Sequence, residues 1–437
     1  MKIRSWLSTF STTDCSSTTT APPLNHLSSA TSSSSSDNTS SVSLSSLTSY
    51  SSLQTNLSLQ TLPSIPSLQT NLLLSPSSSL SSPLPLSLHH TLPSLSPRGV
   101  ITSLSLRHPL LYAASGHQIH VFDVTDNYAL VDTFNSRDPS SGSVKSITFH
   151  CGKVLTAHQD CRIRVWELAA DKKHKLAATL PTVKDRLRRS AFLKNYVTVR
   201  RHKKRLWIEH HDAVSGLGAS GDLICSVSWD KCLKIWRPSD FRCVQSVKAH
   251  DDAINAIAVS GNGIIYTASA DCRIKVWGIP FGERQYGSIA TLEKHKSAVN
   301  ALALNGDGTV LFSGACDRSI LVWEREDSAN YMVVTGALRG HSKAILCLIN
   351  VSDLLFSGSA DRTVRIWQRG HDGKFCCLTV SDAHEKPVRS LAAVVDEGGS
   401  PAGGGGVRVF SGSFDGDIKV WEVVVSKVSG NLHSNGF

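Results

Sequence analysis

Six segments of the chain share one arrangement, an aspartate six residues before a tryptophan, and this repetition constrains the fold more than any other feature. The six segments are VLTAHQDCRIRVW (154–166), ICSVSWDKCLKIW (224–236), IYTASADCRIKVW (265–277), LFSGACDRSILVW (311–323), LFSGSADRTVRIW (355–367) and VFSGSFDGDIKVW (409–421). A shorter segment, LLYAASGHQIHVF (110–122), has His117 near the aspartate position and Phe122 in place of the tryptophan. The apolar run before each aspartate and the alternating run after it predict antiparallel strands.

The spacing of these segments points to a particular repeat. Consecutive aspartates lie 70, 41, 46, 44 and 54 residues apart. Most of these intervals are close to the ~40–45-residue period of WD40 repeats, which build four-stranded propeller blades. The chain therefore resembles WD40 proteins. The resemblance implies an all-β fold, a seven-bladed propeller spanning residues 87–425.

The WD40 resemblance also implies a structural role for the recurring polar residues. In the WD40 pattern a histidine, a serine or threonine, the aspartate and the tryptophan form a buried tetrad in which each polar group has a partner. The matching residues are His210, Ser226, Asp230 and Trp236; His250, Thr267, Asp271 and Trp277; His295, Ser313, Asp317 and Trp323; His341, Ser357, Asp361 and Trp367; and His384, Ser411, Asp415 and Trp421. The unit ending at Trp166 keeps Thr156 and Asp160 but has no histidine at the matching position, and the first unit lacks the aspartate. We expect those two blades to be the less stable ones.

Serine, histidine and aspartate in one network also suggest a hydrolase. A catalytic triad, however, needs one exposed nucleophile beside an oxyanion hole, whereas this trio recurs with a tryptophan each time. The sequence contains no Gly-rich phosphate loop and no cysteine or histidine spacing typical of zinc. We therefore expect a non-enzymatic protein with no catalytic residues, no cofactor and no metal site.

The positive charge of the chain is concentrated in one stretch. Residues 184–205 contain ten lysines and arginines against a single acid, Asp185, and so hold nine of the ten net positive charges. This stretch lies in a basic insert, residues 181–209, between the second and third blades. The basic pI therefore describes one segment and not the whole surface.

Several interpretations of the insert remain open. Two basic clusters separated by ten residues are typical of a bipartite nuclear import signal read by an importin-type receptor. Arginines also pair with acidic or phosphorylated segments of a protein partner. The interleaved Phe192, Tyr196 and Trp207 leave nucleic-acid binding open, and a solvated structural connector is the simplest alternative. The candidate binding or import residues are Arg188, Arg189, Arg200, Arg201, Lys203, Lys204 and Arg205.

A second candidate surface is the end of the ring that carries the aspartate turns, called here the Asp face. In WD40 propellers the connections between blades, and therefore the insert, lie on this same face, which commonly binds partners. Trp229 and Phe414 precede their aspartates, and Arg318 and Arg362 follow theirs. These residues are candidates for partner binding, although the two aromatic rings are equally well explained by packing against neighbouring turns.

The segments outside the repeats are predicted to be unstructured. Residues 1–86 are rich in Ser, Thr and Pro with almost no charge, a composition that favours disorder, although it also fits an organellar transit peptide. Residues 426–437 form a disordered C-terminal tail in the same interpretation. Near the boundary, LHHTLPSL (88–95) is predicted to supply the missing outer strand of the last blade. We expect removal of residues 1–80 to be harmless and removal of residues 1–97 to destabilise the fold.

The functional class follows from these features together. No run approaches the ~18 apolar residues of a membrane span. The cysteines are scattered singly apart from Cys376 and Cys377 and form no CxxC pair, which is typical of a reducing compartment. We therefore expect nucleus and cytoplasm and no membrane. NYVTVRRHKKRLWIEH (195–210) resembles the plant JINGUBANG-type WD40 proteins. That resemblance implies a regulatory scaffold for other proteins, such as transcription factors or signalling proteins. Nucleic-acid binding and a ubiquitin-ligase substrate receptor are the alternatives, and the receptor is disfavoured because no repeat tryptophan begins a Trp-Asp-x-Arg sequence.

Overall fold

The computed structural model describes residues 86–92, 99–170, 172–200, 203–325, 332–370, 373–382, 384–396 and 406–424. The tail predicted at residues 1–86 lies outside these ranges except for Leu86, and the tail predicted at residues 426–437 lies wholly outside them. Both therefore stay predictions.

Seven four-stranded antiparallel sheets form the blades of a propeller. Strand β1 (Leu86–Leu92) comes first in the chain and belongs to the last sheet. Blade 1 contains β2 (Ile101–Arg107), β3 (Leu110–Ser115), β4 (Gln118–Asp123) and β5 (Ala129–Phe134). Blade 2, which follows a 3-10 turn at Pro139–Ser141, contains β6 (Val144–His150), β7 (Lys153–His158), β8 (Ile163–Leu168) and β9 (His174–Leu180).

The insert between blades 2 and 3 has its own secondary structure. It contains helix α1 (Val183–Ser190), a 3-10 turn (Leu193–Asn195) and a hairpin of β10 (Tyr196–Arg200) and β11 (Lys203–Leu206). Thr182 caps the helix, because its hydroxyl accepts a 3.2 Å hydrogen bond from the Asp185 backbone amide. The insert therefore has regular secondary structure and is not an irregular loop.

The remaining blades repeat the pattern of blades 1 and 2. Blade 3 contains β12 (Val214–Ser220), β13 (Leu223–Ser228), β14 (Cys232–Trp236) and β15 (Cys243–Lys248). Blade 4 contains β16 (Ile254–Val259), β17 (Ile265–Ser269), β18 (Ile274–Gly278) and β19 (Gly287–Leu292). Blade 5 contains β20 (Val299–Leu304), β21 (Val310–Ala315), β22 (Ile320–Arg325) and β23 (Met332–Leu338). Blade 6 contains β24 (Ile345–Val351), β25 (Leu354–Ser359), β26 (Val364–Arg369) and β27 (Phe375–Ser381). Blade 7 contains β28 (Val388–Asp396), β29 (Gly406–Ser413), β30 (Ile418–Val424) and the early strand β1.

The first strand of each blade lies beside the first strand of the next, and β28 lies beside β2, so the ring is closed. Side chains near the start of these strands join neighbouring blades: the Thr102 hydroxyl donates to Val144 O at 2.6 Å and the Ser215 hydroxyl donates to Ile254 O at 2.5 Å. Because equivalent ends of neighbouring strands meet, the inner strands run in the same direction. The aspartate turns therefore share one end of the ring, the Asp face.

The first strand of each blade has a register shift at its second residue, where a β-bulge leaves one residue without a partner on the neighbouring strand. The seven bulge residues are Thr102, Lys145, Ser215, Asn255, Asn300, Leu346 and Arg389. They occupy matching positions near the Asp face. We call this set the lumen ring.

The repeat tryptophans hold neighbouring blades together. Each one is buried in a hydrophobic cluster that joins its own blade to the preceding blade, as Trp236 does with blade 2 and Trp323 does with blade 4. Burial of a large side chain of this kind contributes roughly 1.5–3 kcal/mol. The glycines of the repeats allow equally close approach: a Cβ on Gly314 would lie 2.4 Å from Ile345 Cγ2 of blade 6, and a Cβ on Gly412 would lie 2.5 Å from Ile101 Cγ2 of blade 1.

The predicted outer strand of the last blade is confirmed. Strand β1 pairs antiparallel with β30, from Leu86 opposite Val423 to Leu92 opposite Ile418. It begins two residues before the predicted segment 88–95 and ends at Leu92. The ring is thus closed by a strand from the start of the propeller, which we call the latch strand.

Candidate interaction surfaces: the insert and the Asp face

The structure brings together the four predicted residues in each of blades 3–7. In blade 3, Trp236 Nε1 donates to Ser226 Oγ at 2.9 Å, Ser226 Oγ lies 2.8 Å from His210 Nε2, and His210 Nδ1 lies 2.9 Å from Asp230 Oδ2. The chemistry fits a neutral histidine that accepts the hydroxyl proton and donates to the carboxylate. Blades 4–7 repeat these contacts within 0.1 Å.

The carboxylates of these tetrads are held in the ionised form. Burial by itself raises the pKa of Asp271, but the hydrogen bond from His250 and backbone amides outweigh it and lower the pKa to about 2. The same balance lowers the pKa of Asp415 to about 2 and lowers the pKa values of Asp230, Asp317 and Asp361. Every tetrad group has an internal partner, so these residues stabilise the blades and offer no free nucleophile.

Blade 2 has a histidine contact that the repeat pattern does not predict. A histidine does contact Thr156, but it comes from the same strand: His158 Nε2 lies 2.8 Å from Thr156 Oγ1, which also accepts from Trp166 Nε1 at 2.9 Å. Asp160 is bound by Arg164, whose Nη2 lies 2.8 Å from Asp160 Oδ2 and 2.6 Å from Asp138 Oδ2. Blade 2 therefore splits the tetrad into a histidine part and an arginine part.

Blades 1 and 2 share a polar contact that the repeat pattern does not predict. His174 of β9 lies between Asp132 and Tyr112 of blade 1, with Nδ1 2.9 Å from Asp132 Oδ2 and Nε2 3.1 Å from the Tyr112 hydroxyl. Burial raises the pKa of Tyr112 to about 12. The His174 ring also stacks on Phe134 with centroids 4.6 Å apart. This contact joins the two blades that have no complete tetrad.

The insert is anchored to blade 3 by one of its arginines. Arg189 Nε donates to the buried Asp185 at 3.0 Å, Nη2 donates to Cys243 O of β15 at 3.2 Å, and the guanidinium lies 4.4 Å from the centroid of the Trp207 ring. Leu206 and Ile208 are buried in the cluster between blades 2 and 3. Two further cations are bonded to backbone carbonyl groups. Lys234 of β14 donates to Trp207 O, and Arg205 of β11 donates to His210 O at 3.0 Å.

The other predicted basic residues of the insert separate into two groups. Arg188, Lys203 and Lys204 are exposed, as are Lys184 and Lys194. Arg200 takes part in the hairpin through its backbone, paired with Lys203, and Arg201 lies outside the described residues. Only part of the predicted basic set is thus available to a partner, because Arg189 and Arg205 already have internal contacts.

Apolar side chains share the exposed surface of the insert. Val183, Leu187, Phe192 and Leu193 are 71%, 68%, 57% and 89% exposed. Surface cavities of about 450 and 350 Å³ flank the helix, one bounded by Arg188, Phe192 and Val244 and the other by Leu187, Tyr196 and Lys204. A contiguous apolar surface rimmed by charge is typical of a protein interaction site. We call this set of exposed apolar and basic residues the insert surface.

The predicted residues of the Asp face lie in the turns that carry the aspartates. Arg318 and Arg362 are exposed and have positive φ, 69° and 75°, immediately after their aspartates. Trp229 and Phe414 are half-buried, with backbone amides that donate to Ala213 O and Pro387 O at 3.1 Å. Both aromatic rings therefore combine packing with partial exposure.

Comparison with known proteins agrees with this division of the blades. A sequence profile described as "WD domain, G-beta repeat" matches residues 202–237, 241–278, 287–324, 332–368 and 375–422. The chain carries WD40 repeats. Each matched segment includes all or nearly all of the first three strands of one of the blades that hold complete tetrads, whereas blades 1 and 2 of this WD40 propeller are not matched.

Similar stretches occur in much larger proteins. The chain is 25% identical over 172 residues to the human kinesin-like protein KIF21A, which is 38% of this chain and 8% of that protein. It is 24% identical over 182 residues to the mouse kinesin-like protein KIF21B, 40% of this chain and 9% of that protein. The matched stretch of this chain thus spans less than a tenth of the length of these relatives.

The described residues offer neither a metal site nor a membrane-spanning helix. No group of three or more His, Cys, Asp or Glu side chains there is arranged to hold a metal ion. No helix in the same part of the chain is both long and apolar enough to cross a membrane. WD40 propellers are generally non-enzymatic scaffolds, and the fold fits a protein-interaction scaffold.

Proposed function

We propose that the protein is a non-enzymatic scaffold that uses the insert surface to bind a protein partner with an acidic or phosphorylated segment. The observation that carries the proposal is that exposed apolar and basic residues lie together on an insert that is fixed to blade 3. Leu187 and Phe192 are exposed beside Arg188, while Arg189 and Ile208 fix the insert to blade 3. A surface that is ordered before binding loses less entropy when a partner binds.

The charge of the surface sets the chemistry of the partner. Arg188, Lys203 and Lys204 have no ion pair with any acidic residue in the described part of the chain. Basic side chains paired with phosphate or carboxylate groups form charge-assisted hydrogen bonds, and arginine does so in a bidentate geometry. Exposed Phe192 and Leu193 supply the apolar contacts that anchor a bound segment.

A regulatory role in the nucleus and cytoplasm of a plant is part of the same proposal. The likeness of residues 195–210 to JINGUBANG-type proteins supports it. In this proposal the exposed basic residues also serve as a bipartite import signal read by an importin-type receptor. Residues 181–209 fused to a fluorescent protein should accumulate in the nucleus, and the same fusion with Glu at Arg188, Lys203 and Lys204 should not.

Binding to arrays of acidic, phosphorylated and neutral peptides tests the partner proposal. The full chain is compared with a variant carrying Arg188→Glu, Lys194→Glu, Lys203→Glu and Lys204→Glu, and with a matched control carrying Glu at four lysines outside the insert, namely Lys248, Lys294, Lys296 and Lys343. All eight side chains are exposed. We expect the insert variant to lose at least ten-fold in affinity for acidic peptides and the control to keep it. Equal binding by all three proteins would contradict the proposal, and loss in the control alone would place the partner at those four lysines and not at the insert.

Nucleic-acid binding is the second candidate, favoured by Phe192 and Tyr196 among the basic residues of the insert. Fluorescence anisotropy with labelled single- and double-stranded oligonucleotides distinguishes it. A nucleic-acid site would lose affinity steeply between 50 and 200 mM salt, because bound phosphates release counterions. Binding that stays at background in low salt would exclude this function.

A further inference from the structure

Two members of the lumen ring are cations. Lys145 is the bulge residue of β6 in blade 2, and Arg389 is the bulge residue of β28 in blade 7. Blade 1 lies between them, with Thr102 at the matching position. The remaining members, Ser215, Asn255, Asn300 and Leu346, carry no charge. The Asp-face mouth of the lumen therefore has two positive charges on one side of the ring.

The contacts of these cations place them in the lumen. Lys145 Nζ lies 5.5 Å from the centroid of the Trp229 ring, which belongs to blade 3, and Arg389 Nη1 donates to Leu346 O of blade 6 at 3.2 Å. Burial and the nearby Arg389 guanidinium lower the pKa of Lys145 to about 8. Both cations stand at bulges of the innermost strands, which surround the central space of the ring, and the Arg389 charge acts on Lys145 across blade 1. Both cations are half-buried, so part of each side chain is accessible to solvent.

Neither cation has an acidic partner among the residues that the structure describes. Within the described ranges no Asp or Glu forms an ion pair with Lys145 or Arg389 at 4.0 Å or less. Arg164 shows how the same fold treats a buried cation elsewhere, because it is paired with both Asp138 and Asp160. Poorly solvated charges in proteins are normally paired, since the loss of hydration is costly. Two like charges without a counter-charge form a ready site for an anion.

We propose that Lys145 and Arg389 form an oxyanion-binding site at the Asp-face mouth of the lumen, with Trp229 as one wall. The group it binds is a phosphate or a carboxylate, either free or on a side chain of a bound protein segment. Arg389 offers a planar set of donors and Lys145 offers a mobile ammonium, a combination suited to several oxygens of one anion. This site is separate from the insert surface and does not depend on the function proposed there.

Thermal unfolding of the full chain in phosphate and in chloride at matched ionic strength tests the site. The variants are Lys145→Met and Arg389→Met, which keep the length of the side chain, with Lys343→Met as the control because it removes an exposed lysine from the same face. A ligand that binds the folded state raises the melting temperature in proportion to RT ln(1 + [L]/Kd). We expect phosphate to raise the melting temperature of the wild type and of Lys343→Met by several degrees, and to have little effect on the two lumen variants.

Two further measurements keep the test decisive. In chloride, Lys145→Met should melt at or above the wild-type temperature, because it removes a repelling charge, so it remains informative if Arg389→Met fails to fold. Calorimetric titration with hexaglutamate and hexaglutamine then separates the sources of the anion. Hexaglutamate binding that is weakened ten-fold or more by Lys145→Met indicates a side-chain ligand, and a response to phosphate alone indicates a free ion. Phosphate stabilisation that persists in both lumen variants, or is absent from the wild type, would overturn the site.

Discussion

Blades 3–7 and blades 1–2 have the same four-stranded architecture but different polar interiors. In blades 3–7 the tryptophan, hydroxyl, imidazole and carboxylate form one continuous chain, as in His250, Thr267, Asp271 and Trp277. In blades 1–2 the equivalent groups are divided among Arg164, His158 and the pair of His174 with Asp132. Different residues therefore fill this role in the two groups of blades, and the divided arrangement is less complete, because the buried His158 Nδ1 has no hydrogen-bond partner in the described part of the chain.

Removal of the latch strand should lower the free energy of unfolding more than any other change. It tests whether a complete tetrad is enough to make a blade stable. Blade 7 has a complete tetrad, yet its outer strand comes from residues 86–92. Deleting residues 1–97 leaves the edge of β30 unpaired from Ile418 to Val423, and the loss of these backbone hydrogen bonds should cost on the order of 5 kcal/mol. Urea unfolding of residues 98–437 and residues 81–437 measures this. Equal stability of the two truncations would refute the role of the latch strand.

The next largest effect should distinguish a complete tetrad from a divided one. Asp230→Ala leaves the buried His210 without its acceptor and should destabilise the protein by about 3 kcal/mol. Asp160→Ala is the matched change in blade 2 and should cost about 1 kcal/mol, because Arg164 retains Asp138. Urea unfolding of both variants gives the comparison. Equal losses would show that the carboxylate has the same role in both kinds of blade.

Acidification should affect blade 2 at a higher pH than it affects the tetrad carboxylates. Burial lowers the pKa of His158 to about 3, so below pH ~6.5 the unfolded chain binds a proton that the folded chain does not. The free energy of unfolding is therefore unaffected by His158 well above that pH. It falls as the pH is lowered, by about 2 kcal/mol between pH 6 and 4.5. The carboxylates, with Asp271 at about 2, lose their contribution to stability only below pH ~4.

The variant His158→Gln isolates the blade 2 contribution. Its unfolding free energy should change less between pH 6 and 4.5 than that of the wild type, with urea unfolding at each pH as the measurement. Asp415→Asn in blade 7 is the control and should leave that interval unchanged. An unaltered pH dependence in His158→Gln would mean that another group titrates there.

A smaller effect should come from the contact between blades 1 and 2. His174→Phe keeps the ring that stacks on Phe134 but leaves the Asp132 carboxylate without its imidazole partner, at a cost of about 1.5 kcal/mol. Thermal unfolding measures the loss. If the double variant His174→Phe with Asp132→Asn recovers most of it, the unpaired carboxylate is the cause. A loss that persists in full in the double variant would assign the effect to packing.

The smallest effects should separate two adjacent arginines of the insert. Arg189→Ala removes the contacts with Asp185, Cys243 and Trp207 and should cost about 1 kcal/mol. Arg188→Ala removes an exposed side chain and should change stability by less than about 0.5 kcal/mol. Urea unfolding compares them. Identical values would contradict the anchoring role of Arg189.

The sequence predicts most of the ring because its repeats encode local periodicity and fixed spacing. The blades, the tetrad members and the latch strand follow from the pattern, and the latch strand differs only in its bounds. His158 is missed because the pattern directs attention to the loop before each blade. A signal was nevertheless present: His158 occupies the position of Ser228 and Ser269, so TAHQD departs from the other repeats.

The anchoring of the insert lies beyond this kind of prediction. Arg188 and Arg189 are adjacent and chemically identical, and nothing local distinguishes the exposed one from the one that contacts Trp207. The distinction depends on the position of β15, more than fifty residues further along the chain. The link between His174 and Asp132 is likewise tertiary, since it joins strands of two blades. Local pattern therefore predicts the blades better than it predicts the surface between them.

The pairing of β1 with β30 has a consequence for biosynthesis. Residues 86–92 emerge from the ribosome long before residues 418–423, with which they pair. The nascent chain must therefore keep this early segment unpaired while the other blades form, because domains otherwise fold progressively as they emerge. The ring cannot close before residues 418–423 have been synthesised, and a chaperone or binding factor that held residues 86–92 during translation would control the moment at which the protein matures.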